Sequence, residues 1–339
     1  MKKIIYSLMA ACALFTTTSC ENGDKEFDDY EYQAVYFAQQ SPVRTITLGD
    51  DENFSTDLDN EHKCEILVTL SGVWKNRSDR HVKIAVDNTL CDGLTFSNGE
   101  PVMPMPEEYY RLTSTDITIP KGDIFGRTTV ELTDAFFADA KSLSVNYVIP
   151  VKIISTDVDT VLESKNFTLY ALKYKNKTHG AWISHGTDEL NTNGVETTVV
   201  REAEYLEKNE IRYLSTLGLN SSLYNVSTTV DIKKLNEKGE IVDDKLTLTC
   251  GLHLDLDGND NCTVTTTTDG CTATGTGKWE RQGAKKAWGD KDRDQFTLNY
   301  EIRFEYEEMG EPRYRILKAN DILVMRDRQS KGLETFSYK

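Results

Sequence analysis

The chain has 339 residues, a formal net charge of −16 at pH 7 and a sequence isoelectric point of about 4.9. A surface this acidic repels phosphate backbones, which argues against nucleic acid as a partner. The length exceeds one small domain and suits two domains of about 150 residues each. Tyr, Thr and Val are plentiful, and this composition favours strands over long helices.

The N-terminal residues have the pattern of an export signal that ends at a lipid-attachment cysteine. Lys2 and Lys3 precede an uncharged run over residues 4–18, and Ser19 and Cys20 follow directly before an acidic stretch. The pattern predicts a lipoprotein signal peptide over residues 1–19, acylation of Cys20 and a flexible acidic tether over residues 20–33. An ordinary cleaved signal with an incidental cysteine is the alternative.

The first half of the chain after the tether predicts a β-sandwich. Short runs of alternating apolar and polar residues recur between turns, at 34–38, 45–48, 64–70, 82–86, 110–112, 116–119, 127–132, 145–154 and 166–171. Only residues 134–141 have a helical pattern. We therefore expect an Ig-like β-sandwich domain over residues 34–175, with Cys64 pointing into its core.

The second half, residues 178–339, is predicted to form another all-β domain. Its strand patterns lie at 195–201, 210–215, 227–235, 246–256, 262–267, 272–279, 294–306 and 314–326, after a first strand that begins at Gly180. A meander of about eight strands favours an antiparallel up-and-down barrel, with a second sandwich as the alternative. The early Trp182 and the late Arg326 resemble the residues that close the floor of lipocalin-like barrels by a cation–π contact.

Four motifs in the first half resemble a known family. Residues 105–110, 117–122, 130–139 and 146–150 are similar, in order, to the N-terminal β-sandwich of Bacteroidetes surface lipoproteins. That domain recurs in polysaccharide-utilisation loci, including glycan-binding lipoproteins in the SusE position. Residues 321–328 and 334–336 resemble an uncharacterised C-terminal domain that is often paired with it.

The resemblance implies a location and a partner. The acidic residues after Cys20 look like the export signals that send such lipoproteins to the outer face of the outer membrane. We therefore expect a lipid-anchored protein at the outer membrane, facing the cell exterior. We expect it to assist polysaccharide capture for a SusC/SusD-type importer.

Motifs that would indicate catalysis are missing from the sequence. Its 5 histidines form no HExxH pattern, and there is no GxSxG or Gly-rich phosphate loop. We predict a non-catalytic protein without metal or cofactor. Two alternatives remain open, namely a structural or adhesive surface protein that binds protein partners, and a small carbohydrate-active enzyme that uses a pair of its many carboxylates.

Aromatic residues near polar loops are the candidate glycan contacts. Trp279 and Trp288 bracket a basic loop that contains Arg281 and Gln282, and together these residues could form a sugar platform. The alternative is that both indoles pack in the core. Two further candidates are the aromatic rings of Tyr224, which we place at a loop rim, and Trp74, which follows a predicted strand.

Two covalent modifications are also predicted. Thr160 lies in an Asp-Thr-Val tripeptide that resembles the acceptor for periplasmic O-glycosylation in Bacteroidetes. Cys250, Cys262 and Cys271 lie on neighbouring predicted strands, so one disulfide among them is possible.

Overall fold

The computed structural model describes residues 32–339, so the predicted signal peptide, Cys20 and most of the tether lie outside the described residues. The described chain is all-β, as predicted. Two packed sheets form a sandwich, and a third sheet closes into a barrel. No helix among residues 32–339 is long and apolar enough to cross a membrane.

The sandwich is built from the first eleven strands and two short helices. The strands are β1 Ala34–Tyr36, β2 Pro42–Thr47, β3 Lys63–Ser71, β4 Arg80–Val86, β5 Met103–Pro104, β6 Tyr110–Leu112, β7 Asp116–Ile119, β8 Phe125–Leu132, β9 Tyr147–Thr156, β10 Thr160–Val161 and β11 Phe167–Lys175. The helices are α1 Asp57–Asn60 and α2 Asp134–Ala138. Short 3₁₀ turns occur at Asn88–Cys91, Glu107–Tyr109, Ala140–Leu143 and Glu163–Lys165.

Alternation along these strands explains the packing of the two sandwich sheets. One sheet has the order β10-β1-β3-β8-β6. The other has the order β21-β2-β11-β9-β4-β7, in which β21 is Glu334–Thr335 near the end of the chain, and β5 lies beside β9. Successive side chains of a strand point to opposite faces, so Ile66 and Val68 on β3 face Ile149 and Val151 on β9 across one buried core. Cys64 lies in this core, as the alternation predicted, and burial raises the pKa of its thiol to about 12.

The remaining strands form the barrel, except for the last one. They are β12 Gly180–Thr192, β13 Val195–Arg201, β14 Glu210–Gly218, β15 Ser221–Leu235, β16 Ile241–Leu256, β17 Asn261–Thr266, β18 Cys271–Ala284, β19 Arg293–Glu308, β20 Glu311–Asp327 and β21 Glu334–Thr335, with 3₁₀ turns at Leu206–Lys208 and Trp288–Asp290. Strands β14 to β20 follow one another around the barrel, and β20 pairs antiparallel with β12. The sheet is therefore closed by eight strands, and β13 pairs with the distal half of β12. Closure favours the barrel over a second sandwich.

The end of the chain returns to the sandwich. Strand β21 pairs with β2, and Phe336 and Tyr338 pack on an apolar patch that contains Val43 and Phe96. We predicted a second domain that extended to residue 339, and the structure places residues 334–339 on the sandwich instead. Phe336 and Tyr338 alternate with polar residues as in a half-buried strand, but this pattern does not tell which of the two bodies the strand packs on.

Side chains fill the interior of the barrel. Trp182, Phe296 and Phe304 are among its fully buried residues, and the cavity near its upper end measures about 50 Å³. Cavities that hold small ligands usually measure about 300–1,000 Å³. This cavity is therefore too small to be a ligand cup of the lipocalin kind.

Candidate functional site

The barrel and the sandwich meet at a polar joint whose centre is Asn176. This side chain is 1% exposed, and its amide nitrogen donates to the carbonyl oxygens of Gly218 and Ser221 at 3.0 and 2.8 Å. Its amide oxygen accepts from the backbone N–H groups of Thr178 and His179 at 3.2 and 3.0 Å. One linker residue thus fixes the first barrel strand against the turn between β14 and β15.

Arg328 connects β20 to the same joint. Its guanidinium is buried and donates to the backbone carbonyl oxygens of Leu48, Asn176 and Lys177, at 2.5 Å for Leu48 and 2.6 Å for Asn176. Burial lowers the pKa of Arg328 to about 10, and the nearby charge of Asp294 opposes this effect. The guanidinium therefore ties the last barrel strand to the end of β2.

Ion pairs bring an acidic loop of the sandwich against the barrel. Arg281 makes two hydrogen bonds with Asp50, at 2.8 and 2.7 Å, and the buried Arg293 pairs with Glu52. Lys291 also lies 3.2 Å from Glu52. Burial is modest at Asp50, so this pair contributes little stability, whereas the buried Arg293 depends on its partner.

A groove of about 310 Å³ lies between these contacts, and we call it the joint groove. One wall consists of residues 50–53 of the sandwich. The other walls come from the barrel, namely Gln282 with the β18–β19 connection, and residues 325–328 at the end of β20. The half-buried Trp288 forms part of one wall. A groove of this size and depth can take one or two sugar rings.

The position of Trp288 follows from the turn that carries it. The turn needs Gly289 in the left-handed region, at φ 67°, which a side chain would strain. One side of the indole packs on Ile183 and Val324, on the outer face of the barrel, and the guanidinium carbon of Arg326 lies 6.0 Å from the ring centre. The indole is thereby fixed at the edge of the joint groove.

Carboxylates dominate the electrostatics of the joint groove. Its lining has the six carboxylates Asp50, Asp51, Glu52, Asp292, Asp294 and Asp327, against the three guanidiniums Arg293, Arg326 and Arg328. Burial raises the pKa of Asp294, although the backbone N–H of Gln282 donates to it at 2.9 Å. The surplus of carboxylates favours a neutral polyhydroxylated ligand over an anion, since carboxylates accept hydrogen bonds from hydroxyl groups.

The two predicted indoles do not form one platform. Trp279 is 7% exposed and faces the barrel interior, where the ammonium group of Lys177 lies 4.5 Å from its ring centre. Trp288 lies on the opposite, outer face of the barrel wall. The cation–π contact predicted for Trp182 and Arg326 is absent as well, because Arg326 lies over Trp288 and Trp182 donates to the carbonyl of Thr178 at 2.9 Å.

The other predicted contacts are also dispersed. Tyr224 is 1% exposed inside the barrel and donates to Asp321 at 2.8 Å, so it cannot act as a rim aromatic. Arg281 borders a separate surface groove on the other side of its ion pair. Trp74 is 63% exposed, but it lies beyond the far end of β3, a strand that spans about 30 Å. Only Trp288 and Gln282 come together in the joint groove.

Sequence reasoning missed the acidic loop and two arginines, namely Arg293 at the start of β19 and Arg328 after the end of β20. The run Asp50, Asp51 and Glu52 stood between two predicted elements and was a visible signal. The side-chain directions of Arg293 and Arg328 depend on where β19 and β20 end, which the pattern leaves uncertain by a few residues. No group of three or more His, Cys, Asp or Glu side chains in the described part of the chain is placed to bind a metal ion.

The fold and the joint groove define an all-β protein in which a sandwich and a filled barrel flank a groove of ligand size. A Bacteroides ovatus structure described as of unknown function is 32% identical, with a TM-score of 0.78, and the match covers 91% of this chain and 99% of that one. The chain therefore belongs to the family of that protein. A model for a domain of unknown function, DUF5627, matches residues 177–329, and a model described as a "-like, N-terminal domain" matches residues 29–160.

More distant similarities add no argument. A second Bacteroides ovatus structure of unknown function is 15% identical with a TM-score of 0.40, and the match covers 91% of this chain and all of that one. An auxiliary nutrient binding protein from Bacteroides thetaiotaomicron is 14% identical with a TM-score of 0.37, over 83% of this chain and 90% of that one. No curated protein matches the chain.

Proposed function

We propose that this protein binds glycans without transforming them, and that the joint groove is the contact site. The observation that carries the proposal is the position of Trp288, a fixed indole at the wall of a groove lined by carboxylates, guanidiniums and an amide. Sugars present C–H surfaces to aromatic faces and hydroxyl groups to charged and amide side chains. This groove offers both kinds of partner within about 310 Å³.

The fixed joint supports the same proposal. A weakly binding site gains affinity when its walls are already in place, because little conformational entropy is then lost on binding. Asn176, Arg328 and the Arg293–Glu52 pair fix the two walls of the joint groove from three directions. The joint groove is therefore preorganised, and it can bind a ligand even though each individual contact with that ligand is weak.

Affinity gel electrophoresis of the purified protein against a panel of neutral polysaccharides tests the proposal. Loss of the indole in Trp288→Ala should weaken binding about 5- to 30-fold, since one stacked ring contributes on the order of 1–2 kcal/mol. Trp74→Ala is the matched control, because it removes an indole far from the groove and should leave binding unchanged. Equal binding by wild type and Trp288→Ala would exclude the joint groove, and absence of binding to every glycan would favour the alternative of an adhesive protein.

Absence of turnover is part of the proposal. Asp294 has a raised pKa and neighbouring carboxylates, as in a glycosidase, but its oxygen is already bonded to the backbone of Gln282. We expect no reducing ends to appear when bound polysaccharide is incubated with the protein. Release of oligosaccharides that Asp294→Asn abolishes would establish an enzyme instead.

The setting of the protein in the cell is proposed from the sequence pattern. We place it at the outer membrane, facing the cell exterior, where acylation at Cys20 anchors it beside a SusC/SusD-type importer. Labelling with a palmitate analogue should depend on Cys20, and protease should reach the protein on intact cells. Failure of an importer pair to co-purify with the cross-linked protein would remove the importer from the proposal.

A further inference from the structure

A second cavity, of about 380 Å³, lies on the sandwich beside the joint groove. We call it the tail pocket, because the C-terminal segment 330–334 forms one of its walls. Its floor includes Lys173 and Lys175 of β11, which lie two residues apart and so project from the same face of the sheet. Residues 51–56 form the remaining wall and separate the tail pocket from the joint groove, and Asp51 lines both.

The charge of the tail pocket is opposite to that of the chain as a whole. Arg44 at its edge is paired with the buried Asp59, so this pair contributes no net charge. The carboxylate of Glu334 lies 3.1 Å from Lys173 and 3.4 Å from Lys331, so that one carboxylate serves two ammonium groups. With Asp51 included, the lining has four cationic and three anionic side chains, so its net charge is +1 in a protein whose net charge is −16.

Lys175 accounts for most of this surplus. Its ammonium group donates to the backbone carbonyl of Gln329 at 2.9 Å, and no carboxylate between residues 32 and 339 forms an ion pair with it. Burial lowers the pKa of Lys175, and the positive charges of Lys173 and Arg328 lower it further. An anion placed beside Lys175 would therefore be strongly favoured.

The remaining lining suits a sugar. The hydroxyl of Ser330 and one oxygen of Asp51 are buried and have no hydrogen-bond partner within residues 32–339. Buried polar groups are nearly always paired, so these two atoms call for a hydrogen-bond partner that residues 32–339 do not supply, either water or a polar ligand. Phe54 and Leu333, which are 45% and 71% exposed, give the rim an apolar surface against which a ring can pack.

We propose that the tail pocket binds the anionic group of an acidic sugar, either the carboxylate of a uronic acid or a sulfate ester. The proposal rests on the proposed function, because it assigns an acidic unit to a glycan whose neighbouring unit occupies the joint groove. The shared Asp51 makes the two sites adjacent, so one oligosaccharide can contact both.

Small ligands test the tail pocket separately from the joint groove. Titrations followed by NMR would compare methyl galacturonoside with methyl galactoside, and galactose 6-sulfate with galactose, so that each pair differs by the anionic group alone. We expect the purified protein to bind at least one acidic member about tenfold more tightly than its neutral partner, which is the scale of a charge-assisted hydrogen bond. The member that binds identifies the carboxylate or the sulfate as the ligand.

Charge-removing variants identify the residue responsible. Lys175→Met should abolish the preference for the acidic member, and Lys173→Met should reduce it. Lys121→Met is the matched control, because this exposed lysine follows β7 at the opposite edge of the same sheet and its loss should change nothing. If Lys175→Met is unstable, Lys173→Met serves as the test variant, provided that its melting temperature equals that of the wild type.

The outcomes separate this inference from the proposed function. Equal binding of the acidic and neutral members, or a preference that survives both lysine variants, overturns the tail pocket. A preference that Lys175→Met removes supports it, whether or not Trp288→Ala also weakens neutral glycans. Insensitivity to Trp288→Ala together with sensitivity to Lys175→Met would leave the tail pocket as a glycan site and remove the joint groove.

Discussion

Replacement of Asn176 by alanine should destabilise the protein more than any change at an exposed asparagine. The variant removes hydrogen bonds to four backbone groups, namely the carbonyls of Gly218 and Ser221 and the N–H groups of Thr178 and His179. The site is 1% exposed, so water cannot readily replace the lost partners. Each lost bond costs about 1 kcal/mol, and we expect a total loss of about 3–5 kcal/mol.

Urea unfolding followed by tryptophan fluorescence measures this loss, because Trp182 and Trp279 are buried in the barrel. Asn98→Ala is the matched control. Asn98 is exposed and accepts one backbone hydrogen bond, from Glu100 at 3.1 Å, so we expect a loss below about 1 kcal/mol there. If Asn176→Ala lost no more than Asn98→Ala, the joint would not depend on this amide.

Three further predictions concern other buried groups. Burial, with the charges of Lys175 and Arg328, lowers the pKa of His179 from 6.5 to about 3, so the unfolded chain takes up a proton first as the pH falls. The free energy of unfolding should decrease by about 2 kcal/mol between pH 7 and pH 5, and it should depend less on pH in His179→Asn. If the free energies of unfolding of the wild type and the variant decreased equally over this range, the prediction would be wrong. Asp321→Asn should cost about 1–3 kcal/mol in urea unfolding, because Arg201 would lose the charge of one buried partner and keep its pair with Asp188. The free thiols of Cys250 and Cys271 have sulfur atoms 2.7 Å apart, so peptide mapping after mild oxidation should find them bridged to each other and Cys262 unmodified.

Alternation and turns made most strands predictable. The sequence placed a strand at 195–201, and β13 occupies those residues. Strand β17 has the predicted length, shifted by one residue, and the other barrel strands run longer than the patterns indicated. Strand β15 begins at Ser221, six residues before the predicted start, and so includes Tyr224, which we placed at a loop rim. The preceding Asn220, Ser221 and Ser222 have polar side chains that are usual in turns, but Ser222 is 1% exposed and bonded to Asn176. When a polar side chain is buried because a residue distant in sequence forms a hydrogen bond with it, the neighbouring residues in the sequence do not reveal that it is buried.

Contacts between residues distant in sequence also explain why the predicted pairing of Trp279 and Trp288 was wrong. Trp279 and Trp288 lie nine positions apart in one basic stretch, and the sequence suggested that they share a surface. Strand β18 ends between them, and the register shift after Glu280 turns the later residues outward. Gln282 and Lys286 adopt left-handed backbone angles in this turn, at φ 51° and φ 45°. Neither residue type requires such angles, so the pattern gave no indication of the reversal.

The joint groove and the tail pocket have opposite charges and share one acidic loop. Residues 50–52 are all acidic, and two of them face the arginines of the barrel while Asp51 borders both cavities. Carboxylates on this side reject anions, whereas the lysines of β11 attract them on the other side. Removal of the charge at Asp51 should therefore increase the affinity of an anionic ligand at both cavities. The increase should be greater in the tail pocket, because Lys175 has no competing carboxylate partner there.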